Sequence, residues 1–122
     1  MQLEQLRQKL LTYPETTESL PFGPEALVFK VVDKMFALVG HTDTPLSINL
    51  KCDPNDALAL RDQYTAVQPG YHMNKKHWNT VILDGSIPEK EIWAMIDHSY
   101  KLVLKGLKKA DRERLQEVLN AS

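Results

Sequence analysis

Cysteine, long apolar runs and ordered glycine motifs are all scarce in this sequence of 122 residues. The single cysteine, Cys52, excludes an internal disulfide, and we expect it to be a small buried residue rather than a nucleophile. No apolar run approaches the ~18 residues that a membrane span needs, so no membrane partner is expected. The first residues lack the pattern of a signal peptide, which predicts a cytoplasmic protein.

Recognisable catalytic and cofactor motifs are also absent. The five glycines are scattered and form no phosphate-binding loop. His72 and His77 are five residues apart, which is neither helical nor strand spacing, whereas a zinc site needs three or four converging ligands. No serine lies in a nucleophile-elbow context, and no local pattern joins Cys52 to a histidine. We therefore predict a protein that is not an enzyme and uses no metal or cofactor.

The composition is that of an ordinary globular domain, with 43% hydrophobic and 25% charged residues. The length predicts one domain over residues 1–122. A net charge of -1 argues against a protein that coats nucleic acid, but the charge is uneven. Residues 63–122 carry 9 basic and 7 acidic side chains, so an anionic partner is expected to meet this half.

Hydrophobic periodicity and helix-breaking residues predict the element order α, β, β, β, α, β, α, α. The predicted helices lie near 1–13, 53–64, 88–105 and 108–120, and the predicted strands near 27–32, 35–39, 46–51 and 78–83. Loops are predicted at 15–25 and 65–70, a two-residue turn at Asp33-Lys34, an N-terminal cap at Asp53, and a capping box at Ser86 to Glu89. This order indicates an α+β sandwich, with a mainly antiparallel sheet packed on helices and one sheet face partly open.

Residues 69–85 combine cationic and aromatic side chains. No acidic residue occurs between Asp62 and Asp84, an interval that covers most of this stretch. Such a mixture suits contact with phosphates and exposed base faces. A solvated turn whose Tyr71 and Trp78 anchor a small core is the alternative interpretation. Strand alternation leaves the direction of Trp78 open.

Eight residues of this stretch are candidate contacts for nucleic acid. They are Tyr71, His72, Asn74, Lys75, Lys76, His77, Trp78 and Asn79. A second basic set lies near the chain end and comprises Lys101, Lys105, Lys108, Lys109, Arg112 and Arg114. This second set is also typical of a solvated helix face, so its role stays open.

Several segments resemble the MmcQ/YjbR family. They are Leu20 to Val31, Phe36 to Leu38, Ile48 to Lys51, Pro69 to Gly85 and Ile92 to Val103. The run His-Met-Asn-Lys-Lys-His-Trp at residues 72–78 carries most of the resemblance. The resemblance implies a fold similar to CyaY, the bacterial frataxin, in a small bacterial DNA-binding protein with a proposed double-wing arrangement.

We therefore predict weak, salt-dependent DNA binding through the eight candidate residues. The alternative is a non-enzymatic module that binds a small ligand or an unidentified protein partner through the same surface. Frataxin-like iron handling is a weaker alternative, because the first helix carries few acidic residues beyond Glu4.

Overall fold

The protein is described by a computed structural model that covers residues 1–70 and 73–121. In chain order, the elements of this part are Leu3–Leu11 (α1), Thr16–Ser19 (β1), Ala26–Val31 (β2), Lys34–Gly40 (β3), Ser47–Lys51 (β4), Pro54–Gln63 (α2), Val67–Pro69 (β5), Trp78–Ile82 (β6), Glu89–Lys105 (α3) and Lys109–Ala121 (α4). The predicted α+β class is confirmed. Within these residues no helix combines the length and the apolar character needed to cross a membrane.

The six described strands form one antiparallel sheet in the order β1-β2-β3-β4-β6-β5. The four predicted strands share this sheet, as expected. The loops predicted at 15–25 and 65–70 are wrong in part, because each contains a short edge strand, β1 or β5. Neither edge strand has the apolar alternation that identifies a strand, and Pro69 is tolerated in β5 because an edge position needs no ladder N–H.

The hairpin between β2 and β3 turns one residue earlier than predicted. Val32 and Asp33 both have positive φ, 46° and 63°, and Val31 pairs with Lys34. Positive φ at both central residues is the geometry of the tight turn that matches strand twist. The turn predicted at Asp33-Lys34 is therefore wrong by one residue, and the turn residues are Val32 and Asp33. The sequence pointed away from Val32 because β-branched residues rarely adopt positive φ.

Of the two helix starts predicted from capping residues, that of α2 is confirmed and that of α3 is wrong. Asp53 caps α2 as predicted, since its carboxylate accepts the N–H groups of Asn55 at 3.0 Å and Asp56 at 3.4 Å. The capping box at Ser86 to Glu89 is wrong, because α3 begins at Glu89 after Pro88 without a side-chain cap. The Ser86 hydroxyl instead donates to Asp84 Oδ1 at 2.6 Å, a local turn that competes with capping.

Helix α3 covers one face of the sheet, as the predicted packing of sheet on helices requires, and it buries a continuous apolar stripe. The stripe consists of Ile92, Met95, Ile96, Ser99, Tyr100, Val103 and Leu104. It packs on buried sheet residues such as Ile48, Leu50 and Val81. The opposite face, which carries Asn49, Thr80 and Ile82, forms an open groove rather than a second helix-covered core.

Candidate nucleic-acid interface

Six of the eight candidate contacts lie in one compact unit, residues 74–79, at the start of β6. Tyr71 and His72 lie outside the described residues. The backbone carbonyl of Asn74 accepts the N–H groups of His77 at 3.2 Å and Trp78 at 2.9 Å, which closes a tight turn over residues 74–77. The side-chain Oδ1 of Asn74 accepts the N–H of Lys76 at 2.9 Å. Asn74 therefore shapes the turn, as asparagine commonly does through its own side chain.

Arg61 of α2 clamps this turn from the helix side. Its Nε donates to Asn79 Oδ1 at 2.7 Å, and its Nη2 donates to the carbonyl oxygens of Trp78 at 3.3 Å and Lys75. The N–H of Cys52 adds a bond to the His77 carbonyl at 2.8 Å. Sequence reasoning missed Arg61, because no local pattern connects it to a turn 14 residues away.

Asn79 belongs to the interior rather than to the binding surface. Its side chain is 2% exposed, its Oδ1 accepts from Arg61, and its Nδ2 donates to the Ala57 carbonyl at 3.4 Å. Such a buried side chain lacks access to a phosphate or a base. Asn79 is therefore removed from the candidate contacts and assigned to the support of the turn.

Lys75 and Lys76 are exposed at the tip of the turn. Within residues 1–70 and 73–121, no ion pair involves either lysine. His77 and Trp78 beside them are half-buried. The turn thus holds two unneutralised ammonium groups on a backbone that Arg61, Asn74 and Asn79 fix.

Strand pairing answers the open question about Trp78. Asn79 and Val81 lie on the helix-covered face of β6, so Trp78 lies with Thr80 and Ile82 on the opposite, open face. Lys51 pairs directly with Trp78 across β4 and β6, so the two residues lie side by side at the ends of these strands, and Lys51 also lines the smaller pocket on the helix side. Lys51 is a third lysine of this surface that sequence reasoning missed, because register rather than spacing brings it there.

Gly70 explains how the chain passes so closely behind Trp78. Its N–H donates to the Trp78 carbonyl at 2.8 Å. A Cβ at this position would lie 2.8 Å from that carbonyl oxygen and 2.8 Å from the Trp78 Cβ, closer than real Cβ contacts. Only glycine fits this approach without a backbone shift.

The second basic set is partly neutralised and lies on α3 and α4, with Lys108 just before α4. Lys101 pairs with Asp97 at 2.8 Å, and Arg114 pairs with Glu15 and Asp111, both at 2.8 Å. Lys109 is 4.0 Å from Glu113. These partners favour the interpretation of this set as a solvated helix face.

The open face carries a groove of about 990 Å³ close to the turn. Its floor is polar, since Thr80 Oγ1 donates to Asn49 Oδ1 at 2.6 Å and both side chains are buried. Exposed Phe22 and half-buried Met73 lie at its rim. The groove is roomy enough for a ligand of ordinary size.

Cys52 and His98 both line a smaller pocket on the helix side. Burial, followed by the charges of Asp56 and Asp53, raises the pKa of the Cys52 thiol to about 11. The His98 Nε2 accepts the N–H of Asp53 at 3.3 Å. Among the described residues, no group of three His, Cys, Asp or Glu side chains is placed to hold a metal ion.

Comparison with known proteins shows relatives over nearly the whole chain. The YjbR family model matches residues 11–102. The uncharacterised protein YbdF of Escherichia coli O157:H7 is 39% identical over 113 residues, which cover 93% of this chain and 93% of that protein. The uncharacterised protein YjbR of Escherichia coli K12 is 34% identical over 118 residues, which cover 97% of this chain and 100% of that protein.

Solved structures agree with this assignment. The crystal structure of Deinococcus radiodurans protein DR2400, a DUF419 domain, matches with a TM-score of 0.88 and 41% identity over 94% of this chain and 88% of that chain. A Pseudomonas syringae protein matches with a TM-score of 0.72 and 31% identity over 84% of this chain and 98% of that chain. The predicted family is therefore confirmed, and the chain belongs to the YjbR family.

Proposed function

We propose that this protein binds DNA through its phosphate backbone, using the turn at residues 74–77 and the adjoining ends of β4 and β6. The observation that carries the proposal is the pair of exposed lysines, Lys75 and Lys76, which lack an ion-pair partner among the described residues and stand on a fixed turn. Lysines held by a rigid backbone lose less conformational freedom when they meet a phosphate.

Each neighbouring residue has a distinct proposed part. Lys51 extends the positive surface beside Trp78, and the half-buried indole offers an edge to a sugar or base. His77 adds a hydrogen-bonding group. Tyr71 and His72 stay predicted contacts, and the double-wing mode implied by family resemblance stays an expectation. Asn74 contributes mainly by holding the N–H of Lys76.

The proposal includes the absence of catalysis and a cytoplasmic location. The raised pKa of Cys52, about 11, supports the first point, because a thiol that is protonated near neutral pH is a poor nucleophile. The proposed DNA binding requires only positioned charges and a suitable surface shape, and it needs no catalytic group.

The groove on the open face favours a second candidate function, the binding of a small ligand or a peptide. Its volume of about 990 Å³ and its buried Asn49–Thr80 floor are the observations that support it. The salt dependence of the binding affinity distinguishes the two candidate functions. Phosphate contacts weaken steeply with salt, whereas the binding of an uncharged ligand or peptide in the groove depends little on salt.

The direct test is fluorescence anisotropy of a labelled DNA duplex at low salt. The wild type should bind with micromolar or weaker affinity, because few phosphates are within reach. Lys75→Ala/Lys76→Ala should weaken binding about tenfold, as expected for the loss of two charge contacts. The matched control is Lys108→Ala/Lys109→Ala, which removes the same charge from exposed positions in the helix layer. A wild type that does not bind, or equal losses in both variants, contradicts the proposal.

A further inference from the structure

A second pocket, of about 260 Å³, lies between α2, α3 and the helix-covered face of the sheet. Leu50 and Val81 form its floor, and Leu60 and Met95 form its sides. Apolar residues make up just over half of its lining, and the polar residues that line it are Lys51, Asp56, Asn79, Glu91 and His98. Val81 and Trp78 lie on opposite faces of β6, so the pocket lies on the other side of the sheet from the indole, although Lys51 and Asn79 also line it.

Two small residues, one from each helix, line the pocket. Ala59 of α2 and Ala94 of α3 both line the opening, and both are exposed. Longer side chains at these positions would close the gap between the helices. A dry apolar cavity of about 150 Å³ takes a benzene ring. The present volume therefore suits one ring with a short tail.

Two carboxylates line the pocket, together with the basic residues Lys51 and His98. Asp56 of α2 and Glu91 of α3 both line it. The Asp56 side chain is 65% exposed and lies 3.7 Å from His98 Nε2, which already accepts the N–H of Asp53 at 3.3 Å. The carboxylate of Asp56 is thus not held by a lysine or an arginine within the described residues. A cation at the mouth would meet carboxylates from two helices.

We propose that this pocket binds a compact apolar molecule with a cationic amine head. The aliphatic floor and sides take the apolar body, and Asp56 and Glu91 attract the ammonium group. Burial of one ring supplies most of the affinity, and the carboxylates supply the selectivity for positive charge. An anionic ligand of the same shape meets repulsion at the mouth.

The probes are 2-phenylethylamine, the neutral 2-phenylethanol and the anionic phenylacetate, titrated into ¹⁵N-labelled protein and followed through backbone amide shifts. The amine should bind with a dissociation constant of about 1 mM, in the range of a good fragment of this size. The alcohol should bind several-fold more weakly, and phenylacetate more weakly still. Shifts should centre on residues around Ala59 and Ala94. A wild type that binds none of the probes, or prefers phenylacetate, overturns the proposal.

Two variants locate the site and its charge preference. Ala94→Leu should fill the pocket and abolish binding of all probes, whereas the control Ala110→Leu, at an exposed position of α4, should bind as the wild type does. Asp56→Asn/Glu91→Gln should keep alcohol binding and remove the preference for the amine. Thermal unfolding establishes that each variant is folded. Unchanged binding in folded Ala94→Leu, or an unchanged amine preference in the double variant, overturns the proposal.

Discussion

Arg61 and Asn79 connect the turn at residues 74–77 to the second helix. The guanidinium Nε donates to Asn79 Oδ1 at 2.7 Å, and the Asn79 amide donates onward to the Ala57 carbonyl. The same guanidinium donates to backbone carbonyls of Lys75 and Trp78. Asn79 is therefore the buried link through which α2 sets the position of the lysine pair.

Replacement of Asn79 by alanine should destabilise the protein by about 1–3 kcal/mol, because the Ala57 carbonyl and the Arg61 Nε lose their shared partner in a buried position. Urea unfolding measures the change. The control Asn55→Ala, at an exposed position of α2, should cost less than about 0.5 kcal/mol. Equal losses for Asn79→Ala and Asn55→Ala would show that the amide link contributes nothing.

Residue roles within the central stretch were only partly predictable. The sequence identifies residues 69–85 as one cationic and aromatic stretch with a strand near 78–83, and β6 lies there at Trp78–Ile82. The roles of Asn79 and Lys51 depend on strand register and on a helix more than ten residues away, which local spacing does not encode. Both faces of β6 carry apolar residues, so the direction of Trp78 became clear only from the packing of Val81 against the core.

At the scale of elements, Ser99 joins α3 to two strands. Phe29 pairs with Ala37 and Lys30 with Met35, so Phe36 is an extra residue, a bulge in β3. The Ser99 hydroxyl donates to the Phe36 carbonyl at 2.6 Å and accepts the N–H of Lys51 at 2.9 Å. A buried helix hydroxyl thus satisfies two backbone groups of the strands on which α3 packs.

Ser99→Ala should therefore cost about 2–4 kcal/mol, because both buried backbone groups lose a partner and water has no ready access to replace it. The free energy of unfolding from urea denaturation checks this value. Ser86→Ala is the control, since its exposed hydroxyl serves only a surface turn and its loss should cost under about 1 kcal/mol. A Ser99 variant as stable as the Ser86 variant would contradict this role.

The positions of elements with a regular pattern of apolar residues were predictable from the sequence, and those of short polar elements were not. Helix α3 and the four inner strands carry long apolar patterns, and their positions agree with the predictions within about one residue at most ends. Strand β1 has the sequence Thr-Thr-Glu-Ser and exists because it pairs with β2. The capping box failed because Asp84 competes for the same hydroxyl.

At the scale of the whole molecule, two ion pairs tie surface segments far apart in sequence. Arg7 of α1 pairs with Glu18 of β1, and Arg114 of α4 pairs with Glu15 just before β1. Hydrogen bonds from these arginines lower the pKa of both glutamates below the ordinary value of 4.5. A lowered pKa in the folded state means that the pairs stabilise the fold above that value and lose this contribution as the pH falls through the lowered pKa.

Glu15→Gln/Glu18→Gln should accordingly have a lower melting temperature than the wild type at pH 7, and the difference should shrink as the pH falls below 4.5 and disappear once both glutamates are protonated in the folded state. Thermal unfolding followed by circular dichroism across this range is the measurement. Glu117→Gln, at an exposed position of α4, serves as the control and should show no such convergence. A deficit that stays constant with pH would assign the effect to packing rather than charge.

The charge of the molecule is arranged so that one end of the sheet carries free lysines. The basic residues of α3 and α4 are partly paired with acids, whereas no ion pair among the described residues involves Lys51, Lys75 or Lys76. This contrast is the physical basis for the proposed DNA surface, since a net charge of -1 offers no general attraction to an anionic polymer.

The most direct measurement is therefore the salt dependence of DNA affinity, from anisotropy titrations at several salt concentrations. If Lys75 and Lys76 each release about one counterion, Lys75→Ala/Lys76→Ala should flatten the slope of log affinity against log salt by about 2 units. Lys108→Ala/Lys109→Ala should keep the wild-type slope. A wild type without DNA binding at low salt, or a Lys75/Lys76 variant with an unchanged slope, would contradict the proposed phosphate contacts.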